Sequence, residues 1–239
     1  MPAAGALKAK TGIYTPTGYG RKSRLPPRPA ALAPGPRRAG WPPPLSDGAG
    51  RYQYDPADPT PAAGGASHER QPYAGSKNNA AREARADVLA DSSEVLADDL
   101  TVAGPVRAEL RVRPSLEHTG LFVRLGDVDL RERSFNRSDS IVRLRPQAAP
   151  CEADQTMRAV VELWPTASTF RRGHRVRLQV SSGAHPAYAR NLGTGEPPGR
   201  ATTMRAADIE VFHSPIRPSA VHLPVVASLG RDLRPAQRA

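Results

Sequence analysis

The chain has 239 residues, a net charge of +11 at pH 7 and a single cysteine, Cys151. Hydrophobic residues make up 38% of it and aromatic residues 5%, and its 26 prolines and 20 glycines indicate many turns or a segment that does not fold. One cysteine excludes an intrachain disulfide, and the sequence shows neither a signal peptide nor a run of about 18 apolar residues. We therefore expect a cytoplasmic protein with no membrane partner.

The first 50 residues differ in composition from the rest of the chain. They hold ten prolines, and eight Lys and Arg residues against one acidic residue, Asp47. Proline fixes φ and lacks a backbone donor, so such a segment builds neither helix nor sheet. We predict a disordered, proline- and arginine-rich leader over 1–50, a folded domain over 51–227 and a disordered tail over 228–239. Because the basic excess lies in the leader, no specific nucleic-acid-binding surface is expected.

From about Tyr52 onward, short runs alternate apolar and polar residues. An alternation with a period of two is typical of strands that bury one face and expose the other. The runs lie at 106–112, 121–125, 159–163, 176–180, 209–211 and 221–225. The sequence therefore predicts an all-β fold, an antiparallel β-sandwich, with at most one short helix between Asn79 and Leu89.

No serine in the sequence has the setting that a hydrolase nucleophile requires. A nucleophile elbow follows the pattern Gly-x-Ser-x-Gly, because only small flanking residues tolerate its strained turn. That pattern is missing, and so is the alternation of strands and helices that builds the sheet of an α/β-hydrolase. The chain is therefore expected to be inactive as a hydrolase on its own, with no catalytic residue.

Patterns that bind metals are missing as well. The six histidines form no His-x-x-x-His pair, and no second cysteine exists to complete a zinc site. Asp55 with Asp58, and Asp127 with Asp129, could offer oxygen ligands to Ca²⁺, but an aspartate followed by proline is first of all a turn former. No dense set of oxygen ligands accompanies either pair, so turns are favoured and neither a metal nor a cofactor is predicted.

An ordered series of sequence blocks resembles the C-terminal domain of the X-Pro dipeptidyl-peptidase and cocaine-esterase-like (CocE/NonD) serine hydrolases. The blocks lie at 54–61, 64–65, 78–89, 93–96, 102–106, 125–129, 163–166, 170–178, 181–182, 190–191 and 194–196, so the resemblance covers roughly 52–226. It implies a galactose-binding-like jelly roll that packs against an α/β-hydrolase domain and a helical cap. In that family the catalytic residues lie upstream of the jelly roll, and none can be carried over to this chain.

The sequence departs from the family at a few positions. His185 stands where the family usually has an aromatic residue, and Ser140 follows Asp139 where glycine is common. The residues before Trp41 show no resemblance to the family. This unmatched leader suggests a truncated or split gene product, with the hydrolase domain on a separate chain or lost.

If the implied architecture holds, one face of the domain is shaped to pack on a hydrolase domain. The best-matched loops are the segment 52–60 and the loop 185–191, and Tyr188 is the expected apolar anchor. The candidate interface residues are Tyr52, Tyr54, Asp55, Asp58, His185, Tyr188, Arg190 and Asn191.

Three functions follow from these observations. The first is a non-catalytic accessory domain of a serine hydrolase of the dipeptidyl-peptidase or acyl-esterase type. The second is a subunit that completes a hydrolase with a separate α/β-hydrolase chain. The third is a carbohydrate-binding module, which would need several exposed aromatic side chains. Trp164 is interpreted as a structural residue, which favours the first function over the third.

Overall fold

The computed structural model describes residues 49–65, 74–145, 151–197, 199–214 and 217–226. Residues 1–48 of the predicted leader and the whole predicted tail lie outside the described residues. Residues 49 and 50, which the composition assigned to the leader, instead begin the first strand.

In chain order the described elements are β1 (Ala49–Tyr54), α1 (Ala80–Glu83), β2 (Leu89–Ser92), β3 (Leu100–Pro114), β4 (Thr119–Val128), β5 (Ser134–Leu144), β6 (Met157–Phe170), β7 (Arg175–Ser181), β8 (Ala207–Phe212) and β9 (Ala220–His222). They form two sheets, one with the strand order β1-β8-β3-β6, in which β9 also pairs with β3, and one with the order β2-β7-β4-β5. Every strand pair is antiparallel. The predicted antiparallel sandwich is confirmed.

The core lies between the two sheets and is built from the inward residue of each alternating pair. On β3 these residues include Leu110 and Val112, and on β4 they include Leu121 and Val123, all nearly inaccessible to solvent. Burying an aliphatic side chain of this size contributes about 1.5–3 kcal/mol. The alternating runs in the sequence therefore mark the residues that hold the two sheets together.

Strand β4 is buried along its whole length, which is unusual for a sheet with one solvated face. Its inward side chains face the core. Its outward side chains, Phe122 and Arg124, are also buried, because Arg124 contacts the backbone of Ala63 and Phe122 contacts Tyr188. Loops therefore cover the outer face of the four-stranded sheet.

The predicted helical window contains one short helix, α1. Its last residue, Glu83, accepts a hydrogen bond from the Ser134 hydroxyl at 2.6 Å and pairs with Arg177 at 2.8 Å. A four-residue helix is too short to be stable by itself. Glu83 therefore fastens α1 to strands β5 and β7. No helix in the described part of the chain is long and apolar enough to cross a membrane.

Candidate domain interface

The two segments that the sequence singled out lie side by side. The His185 backbone N–H donates to the Thr60 carbonyl at 2.8 Å, and the Ala62 N–H donates to the His185 carbonyl at 2.7 Å. The Arg190 guanidinium donates to the Pro56 carbonyl at 2.9 Å. The segment 52–60 and the loop 185–191 therefore belong to one region of the surface.

Tyr52 and Tyr54 do not contribute to that surface, and their assignment as interface residues is corrected. Their exposed fractions are 5% and 1%, and both rings belong to the core of the sandwich. They alternate with the exposed residues Arg51 and Gln53 on β1, so the strand period directs both aromatic rings inward. Burial raises the pKa of Tyr54, while the nearby charge of Arg143 acts in the opposite direction.

Asp55 and Asp58 are exposed and form the turn that follows β1. The Asp55 carboxylate accepts the Ala57 N–H at 2.8 Å, and the Asp58 N–H donates to the Asp55 carbonyl at 3.1 Å. Asp58 also pairs with Arg85 at 3.0 Å. Arg85 in turn binds Asp87 at 2.7 Å. The interpretation of this pair as turn formers is confirmed.

The second acidic pair, Asp127 and Asp129, is used by protein side chains. Asp127 is buried between His174, at 2.8 Å, and Arg137, at 2.5 Å, which joins β4 to β5 and to the start of β7. A hydrogen bond from Arg133 lowers the pKa of Asp129 to about 2. The described residues contain no cluster of three or more His, Cys, Asp or Glu that could hold a metal.

The loop 185–191 lies across the outer face of β4 and β5. The Tyr188 ring packs on Phe122 with ring centres 5.9 Å apart and planes tilted by 58°. Tyr188 is half-buried, whereas His185 is exposed. Burial raises the pKa of Tyr188, the charge of Asp139 raises it further, and a hydrogen bond with the Trp164 side chain lowers it. Tyr188 therefore contacts both the sheet below it and Trp164 beside it.

Asn191 ends the loop in a tight turn. It is half-buried, and its side-chain oxygen accepts the Gly193 N–H at 2.9 Å. Gly193 has a φ of +75°, and a Cβ there would approach the Arg205 carbonyl to 2.7 Å. Asn191 therefore shapes the end of the loop.

Trp164, interpreted from its sequence context as a structural residue, has an exposed side chain. Its exposed fraction is 62%, which makes it the exposed large aromatic residue of the described part of the chain. The backbone carbonyl of Trp164 accepts a hydrogen bond from Ser138 on β5, which holds the strand in place while the side chain stays outside. A residue in an alternating strand faces inward or outward according to its register, and Trp164 takes the outward position beside the buried Leu163.

A buried ion pair supports the loop from below. Arg124 and Asp139 are only 3% and 6% exposed and lie 2.9 Å apart. Arg124 also donates to the carbonyl of Ala63 at 2.7 Å and to the side chain of Asn79. Because burial of an isolated charge is costly, their mutual contact and these added hydrogen bonds stabilise the pair inside the protein. The sequence contains these residues but gives no sign that they meet.

The outer face of the five-stranded sheet has a different character. Glu210 pairs with Arg51 at 2.7 Å and also with Arg113, and Glu109 pairs with Arg107 at 3.1 Å and with Arg158. Opposite charges directly across neighbouring strands stabilise a sheet modestly. We call this set of paired charges the charge ladder. It confirms that the arginines of β3 form the solvated side of a strand.

The fold and these surfaces define an antiparallel β-sandwich domain with one charge-paired outer face and one aromatic loop surface. The chain belongs to the family of X-Pro dipeptidyl-peptidase C-terminal non-catalytic domains, whose sequence profile matches residues 29–222. The resemblance seen in the sequence is confirmed. The match begins upstream of Trp41, so the expectation that nothing before that residue resembles the family is wrong for residues 29–40.

Several relatives share this domain. A cocaine esterase from Rhodococcus sp. (strain MB1 Bresler) is 34% identical over 188 residues, covering 76% of this chain and 33% of the esterase. The structure of an α-amino acid ester hydrolase matches with a TM-score of 0.66 and 26% identity, over 77% of this chain and 33% of that protein. An aminopeptidase from the marine sediment archaeon Thaumarchaeota archaeon matches with a TM-score of 0.63 and 25% identity, over 77% and 34%. This chain thus spans about a third of each relative's length.

Proposed function

We propose that the chain is a non-catalytic accessory domain of a serine hydrolase of the X-Pro dipeptidyl-peptidase or acyl-esterase type, and that it packs against an α/β-hydrolase domain. One observation carries this proposal. The chain belongs to a family described as a non-catalytic C-terminal domain, and it corresponds to only a third of each relative named above.

If a separate chain supplies the hydrolase domain, this chain is the subunit that completes a hydrolase. The exposed residues of the loop 185–191, the turn at Asp55 and Asp58, and the indole of Trp164 support a packing role. Interfaces between domains bury about 600–1,500 Å², and aromatic side chains are enriched at interface centres.

We further propose that the sandwich has the jelly-roll, galactose-binding-like strand arrangement that the family resemblance implies, and that the chain acts in the cytoplasm. The free thiol of Cys151 supports the location, because an exposed unpaired cysteine is better tolerated in a reducing compartment.

A carbohydrate-binding module is a second candidate, and the exposed indole of Trp164 favours it, because sugars stack on aromatic faces. It can be tested by fluorescence. In the variant Trp41→Phe, Trp164 is the single tryptophan of the chain. Titration with galactose and with mixed oligosaccharides should leave its emission unchanged if the accessory-domain proposal is right, whereas a saturable shift would favour sugar binding.

The accessory-domain proposal can be tested by reconstitution. The full chain is co-expressed with the part of the Rhodococcus cocaine esterase that it does not match, and the complex is measured by size-exclusion chromatography. The matched region of the esterase, supplied as a separate chain, is the positive control. Co-elution of this chain with the esterase fragment is expected. Separate elution, under conditions in which the esterase's own region binds, would contradict the proposal.

A further inference from the structure

Three arginines near the loop 185–191 have no carboxylate partner. Elsewhere in the described residues some arginines, such as Arg107, Arg124 and Arg177, pair with a carboxylate, whereas others, such as Arg131 and Arg175, do not. Within the same part of the chain, Arg143, Arg145 and Arg190 form no ion pair with an acidic side chain. Their positive charge is therefore not neutralised within the domain.

These three arginines lie together around the loop. Arg143 donates a hydrogen bond to the Ala189 carbonyl, and Arg190 binds the Pro56 carbonyl at 2.9 Å. Arg143 and Arg145 stand two residues apart at the end of β5, a spacing that places two side chains on the same face of a strand. Burial lowers the pKa of Arg143, the nearby Tyr54 raises it, and the charge of Arg145 lowers it. A cluster of like charges is unfavourable in the isolated domain and is relieved by an anionic partner.

The aromatic side chains adjoin this cluster. Trp164 is mostly exposed and lies beside Tyr188, whose pKa burial raises and the Trp164 side chain lowers. Tyr188 is followed directly by Ala189, to which Arg143 is bound, and by Arg190. The aromatic pair and the arginines therefore form one continuous strip along β5, β6 and the loop.

We infer that Trp164, Tyr188, Arg143, Arg145 and Arg190 form a docking surface for an acidic surface of the hydrolase domain. This inference rests on the proposed function and adds the site and its chemistry. Trp, Tyr and Arg are the residue types that carry most of the binding energy in protein interfaces, and the strip contains all three. The charges of the ladder are paired with one another, whereas the three arginines at the loop have no acidic partner, so the strip is the part of these two surfaces to which an anionic partner is drawn.

The residues of the strip indicate which chemical groups the partner surface should carry. A guanidinium that loses water without gaining a carboxylate is destabilised, so an apolar partner alone would leave the three arginines unpaired. Carboxylates on the partner would form forked hydrogen bonds with them, around an apolar contact with the indole. The partner surface is therefore expected to carry Asp or Glu side chains around an apolar centre.

The test uses the reconstituted complex described above, with the full chain and variants of it. Trp164→Ala is expected to raise the Kd about 30-fold, because it removes a central aromatic anchor. Arg145→Glu is expected to slow association about tenfold and to weaken its dependence on salt, because Arg145 is an exposed rim cation. In the Trp41→Phe background, the emission of Trp164 should shift to shorter wavelength as the complex forms.

Two matched controls separate the strip from the rest of the surface. Met204→Ala removes an apolar side chain that is 50% exposed, and Arg131→Glu makes the same charge change at another exposed arginine. Both should bind like the unmodified chain. A complex that forms but is unaffected by Trp164→Ala and Arg145→Glu would overturn the docking surface alone. A failure of the unmodified chain to bind would overturn the proposed function, and the docking surface with it.

Discussion

The hydroxyl of Tyr52 lies 2.9 Å from the hydroxyl of Ser182, and this buried hydrogen bond joins β1 in one sheet to the residue that follows β7 in the other. We expect Tyr52→Phe to lower the free energy of unfolding by about 1–3 kcal/mol, because it leaves the Ser182 hydroxyl buried without its partner. Urea unfolding would measure the loss. The double variant Tyr52→Phe with Ser182→Ala should recover part of it, and equal stability of the single variant and the unmodified chain would show that the bond contributes nothing.

The same tyrosine should make the fold sensitive to alkaline pH. Burial raises the pKa of Tyr52 above its ordinary value of 10.0, although the bond to Ser182 acts in the opposite direction. Because the folded pKa exceeds the unfolded pKa, the unfolded chain loses this proton first. The stabilisation is fully present below about pH 10 and is lost as the pH rises above that value. Denaturant unfolding at several pH values should show a shallower decline for Tyr52→Phe, and parallel profiles would contradict this origin.

The buried pair of Arg124 and Asp139 should be far more sensitive to substitution than an exposed pair. Asp139→Ala leaves a guanidinium buried without its carboxylate, which we expect to cost about 3–5 kcal/mol. The control is Asp99→Ala, because Asp99 pairs with Arg171 at 2.8 Å with exposed fractions of 46% and 69%. That variant should cost far less, because water and salt screen an exposed pair. Thermal unfolding of both variants provides the comparison, and similar losses would show that the buried pair contributes no more to stability than the exposed pair.

Trp164 and Tyr188 should behave differently when each is replaced by serine. Trp164→Ser is expected to reduce self-association without lowering the melting temperature, because its indole is outside the core. Tyr188→Ser should also lower the stability, by about 1–2 kcal/mol, because its ring packs on Phe122. Sedimentation velocity and thermal unfolding separate the two effects. A large loss of stability in Trp164→Ser would mean that the indole is a structural contact after all.

The purified chain is expected to hydrolyse neither p-nitrophenyl esters nor Xaa-Pro dipeptidyl substrates, because its sequence lacks a nucleophile elbow. Spectrophotometric assays with the full chain test this. Turnover that disappears on replacement of one serine would contradict the prediction, whereas turnover that survives every serine replacement would indicate a contaminating enzyme.

The alternating runs predicted the strands that carry the core, because β3, β4, β6, β7, β8 and β9 all bury residues from those runs. Strand β5 was not predicted, because its sequence Ser-Phe-Asn-Arg-Ser-Asp-Ser is polar on both faces. In the fold the polar side chains of β5 have partners on other elements: the Asn136 side chain accepts the Lys77 N–H at 2.8 Å, and Asp139 pairs with Arg124. These contacts between distant parts of the chain stabilise β5, and a pattern of neighbouring residues cannot predict them.

The candidate site was predicted in part. The family resemblance pointed to the loop 185–191, which does lie beside the segment 52–60. It could not tell which aromatic residues face outward, because Tyr54 and Trp164 both stand in strand sequences and only the register decides their direction. The alternation of Tyr52 and Tyr54 with Arg51 and Gln53 was the signal that could have identified the tyrosines as core.

The charge ladder has a consequence for how the domain meets another molecule in solution. Cations and anions that neutralise one another within a few ångströms produce little potential beyond a Debye length of about 8–10 Å. Around the loop 185–191 the positive fields of Arg143, Arg145 and Arg190 add together. An acidic molecule that approaches the sandwich is therefore attracted to these arginines more than to the ladder, which favours encounters in which the strip faces it. The ladder contributes to this orientation because its own paired charges attract neither sign strongly.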